Sequence, residues 1–313
     1  MTPEIRRAAE ILRAGGLVAF PTETVYGLGA NASNAAAVAR LYAAKGRPAD
    51  HPVIVHFASA AMAFTWAREL PAAAQALAAR FWPGPLTLIL KRSALARDFV
   101  TGGQDSVGLR VPSHPIAHQL LDSFGGGVAA PSANRFGMVS PTTAAHVRAD
   151  LGDEVELVLE GGPSKVGIES TIVDLSGEAP ALLRPGAITR DQLKNILGCE
   201  IRERTPDAPR HSGSLERHYA LRTPLRLVAT HALDREIALE KNRVAVLAFS
   251  RPDERVDYWI RMPRDPEAYA QRLYAALREL DGAGCETILV EAPPESPEWA
   301  AVLDRLRRAC SPA

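Results

Sequence analysis

Short apolar runs alternating with longer alanine-rich stretches constrain this chain more than any other feature. The runs fall at 17–20, 52–57, 86–90, 107–111, 157–159 and 171–175. Bounded by turn residues and too short for helices, they read as buried strands. Helical patterns lie between them, at 34–44 behind a capping Ser33 and at 142–151 behind Ser140-Pro141. Strands that alternate with helices pack into an α/β fold whose sheet is largely covered.

A chain of 313 residues exceeds the usual span of one domain, so a second unit is expected. Residues 202–224 carry three prolines and dense charge without an apolar period, which reads as a linker. Beyond it come apolar runs at 225–228, 244–249 and 288–290, a helix at 266–280 and a last helix to about Arg308. The predicted organisation is 1–201, a linker or lid at 202–224, and a smaller α/β unit at 225–313.

Lys plus Arg equals Asp plus Glu at 36 each, so no global field draws the chain to nucleic acid and any anion site must be local. Cys199, Cys285 and Cys310 lack metal or redox spacing and suit a reducing compartment. The N-terminus reads as an amphipathic helix rather than a signal peptide, and no run approaches the ~20 apolar residues of a membrane span. A cytoplasmic location without membrane partners is the expectation.

Four segments place polar groups where strands meet loops, the usual ligand position in open α/β sheets. P-T-E-T-V-Y-G-L-G at 21–29 offers hydroxyls from Thr22, Thr24 and Tyr26 beside glycines that permit close backbone approach. K-G-R-P-A-D-H-P-V-I-V-H at 45–56 sets Lys45 and Arg47 around a glycine, where they can clamp phosphates. A-P-S-A-N-R-F-G-M-V-S-P-T at 130–142 carries Ser132 and Asn134, then Ser140, read as opening a helix whose free N–H groups receive an anion. V-G-I-E-S-T-I-V-D-L at 166–175 and L-L-R-P-G-A-I at 182–188 contribute Ser170 and Arg184, an arginine costly to bury without an anion.

Together these motifs resemble the YrdC-like family of threonylcarbamoyl-AMP synthases, in its long form with a C-terminal domain. The likeness covers about residues 5–200, and H-Y-A at 218–220 resembles that form's H-Y-A-P signature. The resemblance implies a twisted open sheet with flanking helices plus a smaller Rossmann-like α/β domain. It implies that threonine, bicarbonate and ATP become threonylcarbamoyl-AMP and pyrophosphate, after which threonylcarbamoyl transferase proteins modify tRNA. Lys45 and Arg47 would then be catalytic, and Lys45, Arg47, His51, Ser106, Ser132, Asn134, Ser140, Arg184, His218 and Tyr219 would surround ATP. Thr24, His56, Arg110, Ala130 through its backbone, and Ser170 would hold threonine. Mg²⁺ would ride on ATP and water, since the sequence shows no acidic cluster with metal spacing. His51 stands where asparagine is usual, and Leu221 where the signature has proline.

Two other readings compete. Gly27-x-Gly29-x-x-Ala32, with Asp50 further on, matches a dinucleotide fingerprint, although six residues separate Phe20 from the first glycine. The cluster Lys45, Arg47, Arg110, Arg135 and Arg184 suggests an RNA-binding module, against which stand the missing aromatic platforms and basic excess. Walker A, H-E-x-x-H and G-x-S-x-G patterns are absent.

Overall fold

Strand alternation lays out the larger part of the computed structural model, which describes residues 2–213 and 218–310. Two units are distinguished: Met1–Phe136 with Pro141–Lys165 and Glu169–Ser214, and Gly137–Ser140 with Val166–Ile168 and Leu215–Ala313.

The first unit runs α1 (Pro3–Arg13), β1 (Val18–Phe20), β2 (Gly27–Asn31), α2 (Ala35–Lys45), β3 (Ile54–His56), α3 (Ala60–Phe64), α4 (Ala72–Phe81), β4 (Leu86–Lys91) and α5 (Asp98–Thr101). It continues with β5 (Ser106–Arg110), α6 (Pro115–Phe124), β6 (Val128–Ala129), α7 (Ala144–Leu151), β7 (Leu157–Val158), β8 (Thr171–Asp174), β9 (Ala181–Arg184), α8 (Arg190–Leu197) and β10 (Arg202–Glu203). The strands form one mixed sheet in the order β10-β9-β8-β4-β5-β3-β6-β2-β1-β7.

Successive residues of a strand face opposite sides. Leu86, Leu88, Leu90, Val107, Leu109 and Val55 point one way and pack against Ala74, Leu77 and Ala78 of α4 in the main core. The other side carries a small apolar floor of Ile54, Ile89, Ile172 and Leu183, with Ala208 of the connecting segment packed on it. Gly108 lies in this floor, where an added Cβ would meet Ile89 at 3.2 Å and Ile54 at 3.3 Å. By the same period of two, Thr87, Ser106, Arg110 and His56 share this side.

Three expectations are corrected. The cap of α2 is Asn34, not Ser33: the Asn34 side chain accepts from Ala36 and Ala37 N–H, while Ser33 N–H is drawn to Asn31 Oδ1. Ser140 opens no helix. Thr143 caps α7, its side chain accepting from His146 N–H, so the helix begins after Thr143 and not at Ser140-Pro141. The anion site argued from Ser140 at a helix start therefore falls. The dinucleotide reading falls as well, since Gly27 and Gly29 lie inside β2, paired to β1, rather than in a turn between strand and helix. A Cβ at Gly29 would stand 2.9 Å from the Phe20 ring, so that glycine admits an aromatic neighbour, not a pyrophosphate.

The second unit holds β11 (Leu225–Val228), α9 (Leu233–Leu239), β12 (Val244–Ala248), β13 (Tyr258–Arg261), α10 (Pro266–Asp281), β14 (Thr287–Glu291) and α11 (Ala300–Ala309). All pairings in its sheet are parallel, in the order β11-β14-β12-β13. That is the smaller Rossmann-like unit expected from the resemblance. Its core gathers Val228, Leu233, Ile237, Val244, Val246 and Leu289, and Tyr269 packs edge-on to Trp299 at 5.3 Å.

Candidate functional site

Parallel pairing of β3 with β5 sets Ile54 opposite Gly108 and His56 opposite Arg110. His56 and Arg110 thus stand side by side where the strands end. Pro52 and Ser106 stand at the other end, where the strands begin. Two groups of polar side chains follow from this division.

At the first end, the Arg110 guanidinium donates from Nη2 to Glu23 Oε1 at 2.7 Å and from Nε to the Gly84 carbonyl at 3.3 Å. Glu23 Oε2 accepts from Ser113 N–H at 3.1 Å. Both partners of this pair are under 10% exposed, and an unpaired guanidinium there would be costly. His56 is pushed down to about 3 by burial and by the neighbouring Arg110 charge, so its imidazole is neutral, and among the described residues its Nδ1 has no hydrogen-bond partner. Thr24 Oγ1 lies 2.8 Å from Thr22 Oγ1. The Ala130 N–H is taken by the Ile54 carbonyl, leaving only its carbonyl for a ligand.

At the other end, α2 stops at Lys45 because Gly46 adopts a left-handed conformation, φ 65°, that turns the chain outward. Lys45 Nζ donates to the Ser132 carbonyl at 2.6 Å and the Asn134 carbonyl at 2.5 Å, leaving one of its three protons. Burial and the nearby Arg47 charge hold the Lys45 ammonium well below the usual lysine range. Arg47 is flanked by the Tyr42 and Phe136 rings, 5.9 and 5.5 Å from its guanidinium carbon. Its Nη2 donates to the Pro52 carbonyl at 2.7 Å, while the buried Nε has no hydrogen-bond partner among the described residues. His51 turns its ring edge to Phe136 at 5.4 Å and pairs with Asp50 at 3.3 Å. Ser106, also buried, opens β5 beside Lys91.

Arg184 and Ser170 join the groups. Arg184 donates from Nε to the Ser170 carbonyl at 3.0 Å and from Nη2 to Ser170 Oγ at 3.2 Å, and Ser170 Oγ lies 2.8 Å from Thr87 Oγ1. Arg184 Nη1 donates to the Ser212 carbonyl at 2.8 Å, and Arg47 Nη2 lies 3.5 Å from Ser212 Oγ. Arg210 anchors that stretch through Asp50 and the Gly102 carbonyl.

Ser140, His218 and Tyr219 belong to the second unit. Tyr219 is fully buried with φ 65°, stacked on Tyr274 at 5.6 Å under the Arg305 guanidinium at 5.5 Å. His218 N–H reaches the Arg308 carbonyl at 3.4 Å. The linker or lid expected at 202–224 includes 214–217, which lie outside the described residues. Lys45, Arg47, Arg110 and Arg184 are each at most 7% exposed, so they form no surface track for an RNA backbone.

Sequence reading missed Glu23, Thr87 and Ser212. A carboxylate next to Thr24 and a threonine inside L-T-L-I-L were the available signals; nothing marked Ser212.

The family described as "Telomere recombination", Sua5/YciO/YrdC, matches residues 10–186, and "Threonylcarbamoyl-AMP synthase, C-terminal domain" matches 188–311. A threonylcarbamoyl-AMP synthase of Pyrococcus abyssi is 40% identical over 98% of this chain and 94% of its own length. One from Bacillus subtilis is 39% identical over 98% and 93%. The crystal structure of P. abyssi Sua5 complexed with L-threonine superposes with a TM-score of 0.91 at 40% identity, over 98% of this chain and 94% of that one. This chain belongs to the threonylcarbamoyl-AMP synthase family.

Proposed function

We propose that the chain is a nucleotidyltransferase that converts L-threonine, bicarbonate and ATP into threonylcarbamoyl-AMP and pyrophosphate. The observation that carries this reading is the division of one sheet face between buried cations beside the starts of β3 and β5 and the His56–Arg110 pair at their ends. Phosphates suit the first group and an amino acid the second.

The threonine ammonium loses a proton to solvent and its nitrogen attacks the carbon of bicarbonate; a C–N bond forms and water leaves, giving a carbamate. A carbamate oxygen then attacks the α-phosphorus, and the bond to pyrophosphate breaks with its electron pair on the leaving group. No protein nucleophile takes part. Lys45, Arg47 and Arg184 would hold the phosphates and balance their charge, with His51, Ser106, Ser132 and Asn134 completing the nucleotide's surroundings. Thr24, His56, Arg110, the Ala130 carbonyl and Ser170 would orient threonine. Mg²⁺ would enter with ATP and screen its phosphates. Separate transferase proteins would pass the threonylcarbamoyl group to an adenosine of tRNA. Among the described residues no helix is long and apolar enough to cross a membrane; the reaction would take place in the cytoplasm.

The segment from Arg210 to Ala220 would act as a lid that keeps water from the mixed anhydride. Supporting this, Ser212 already sits against Arg47 and Arg184. Proteolysis within 202–224 should slow when threonine and a nonhydrolysable ATP analogue are both present. For the reaction itself, incubation with labelled bicarbonate, threonine and ATP should yield a labelled adenylate and pyrophosphate; ATP turnover without label in an adenylate would overturn the assignment.

A further inference from the structure

Glu23 has no role in the scheme above, yet its carboxylate is fixed at both oxygens, by Arg110 Nη2 at 2.7 Å and Ser113 N–H at 3.1 Å. Glu23 is 6% exposed and Arg110 4%, so neither charge is dispersed by bulk water. Arg110 Nε is used by the Gly84 carbonyl, and Nη1 with its two N–H groups has no protein partner among the described residues. The adjoining His56 ring is neutral. Arg110 and Glu23 therefore cancel, and this corner of the sheet carries no net charge. A carboxyl group that pairs with Arg110 Nη1 enters an environment whose positive charge is already matched.

We infer that Glu23 is the specificity-determining residue of the amino-acid pocket: by cancelling Arg110 it makes the pocket accept a zwitterion, carboxylate on Arg110 and ammonium on the Glu23 side, and refuse the same skeleton without its amine. The inference rests on the assignment of this pocket to threonine. Its physical ground is that a net charge transferred into a neutral, water-poor cavity bears the desolvation cost of an unpaired ion, whereas a zwitterion brings a partner for each of the two fixed charges.

Two competitors read this directly in the full-length protein. 3-Hydroxybutyrate keeps the skeleton and hydroxyl of threonine with net charge −1; threonine methyl ester keeps the amine with net charge +1. In the wild type both should compete with threonine at least about 100-fold more weakly than threonine itself binds, since each leaves one buried charge unmatched. Glu23→Gln keeps the shape and one acceptor for Arg110 but removes the charge. It should raise the KM for threonine about tenfold or more, change the KM for ATP less than about threefold, and turn 3-hydroxybutyrate into a competitive inhibitor. Glu23→Asp retains the charge and should still refuse 3-hydroxybutyrate even where kcat falls. A Glu23→Gln enzyme that excludes 3-hydroxybutyrate as the wild type does, or that loses threonine and ATP in parallel, overturns the inference. So does a wild type in which 3-hydroxybutyrate competes as well as threonine binds, a result that needs no variant to fold. Failure of the wild type to bind threonine by calorimetry would instead sink the pocket assignment together with this inference.

Discussion

Thr87 Oγ1 lies 2.8 Å from Ser170 Oγ, and through that hydroxyl a residue in the middle of an apolar strand is tied to Arg184. In the proposed site Ser170 holds threonine while bonded to Arg184, so loosening it from Thr87 should be felt by threonine first. Thr87→Val keeps the volume and removes the hydroxyl. A neutral hydrogen bond is worth about 0.5–1.5 kcal/mol, so the threonine KM should rise roughly 2- to 12-fold with the ATP KM little changed. Initial rates with each substrate varied in turn check this.

Arg47 is held by the Tyr42 and Phe136 rings and by the Pro52 carbonyl, with Nε lacking a hydrogen-bond partner among the described residues. Arg47→Ala should lower adenylate synthesis at least about tenfold without a change in fold, since bonds to charged groups are worth about 1.5–3 kcal/mol each. Arg47→Lys should restore little, because an ammonium neither stacks between two rings nor presents a planar fork. Circular dichroism and adenylate assays on the two variants separate folding from chemistry.

Serine lacks the methyl group of threonine. A methyl in a pocket contributes about 1 kcal/mol or slightly more, so serine should be used with a kcat/KM several-fold to tenfold lower. Competition between the two labelled amino acids gives the ratio; equal use would move the pocket elsewhere.

His56 gives a pH signature of stability. Its folded value near 3 lies below the ordinary 6.5, so between those values the unfolded chain binds a proton that the folded one does not. Stability therefore rises with pH across this window and is lost as pH falls from about 6.5 towards 3. From pH 7 to pH 5 this one residue should remove about 2 kcal/mol. Urea unfolding of His56→Asn at both pH values should show a loss smaller by about that amount.

Much of this was legible in the sequence because strands of three to six residues leave their period in the apolar pattern, as at 86–90 and 171–175. Boundaries set by competition between neighbours were not. Ser33 and Asn34 are both good caps, and only the position of Ala36 and Ala37 decides for Asn34. Ser140-Pro141 and Thr143 are both good helix starts, and the bond from His146 N–H to the Thr143 hydroxyl decides for Thr143. β13 was missed because Y-W-I-R follows a charged loop and carries an exposed tyrosine. Glu23 escaped because pairing a buried arginine needs a partner distant in sequence, 87 positions away, and no local pattern encodes that.

The parallel register of β3 and β5 acts as a ruler. Ser106 and Arg110 are the two ends of one strand, and four steps of about 3.3 Å fix them roughly 13 Å apart. Hydrogen bonds to β3 and β4 on either side leave that strand no freedom to shorten or slide. In the proposed site, the gap between nucleotide and amino acid would thus be set when the sheet forms, and ligands of the wrong length would not be accommodated by flexing it. Any adjustment between the two reactants must come from the loops above the strand, which is where variation in this scaffold can change its chemistry without unmaking its frame.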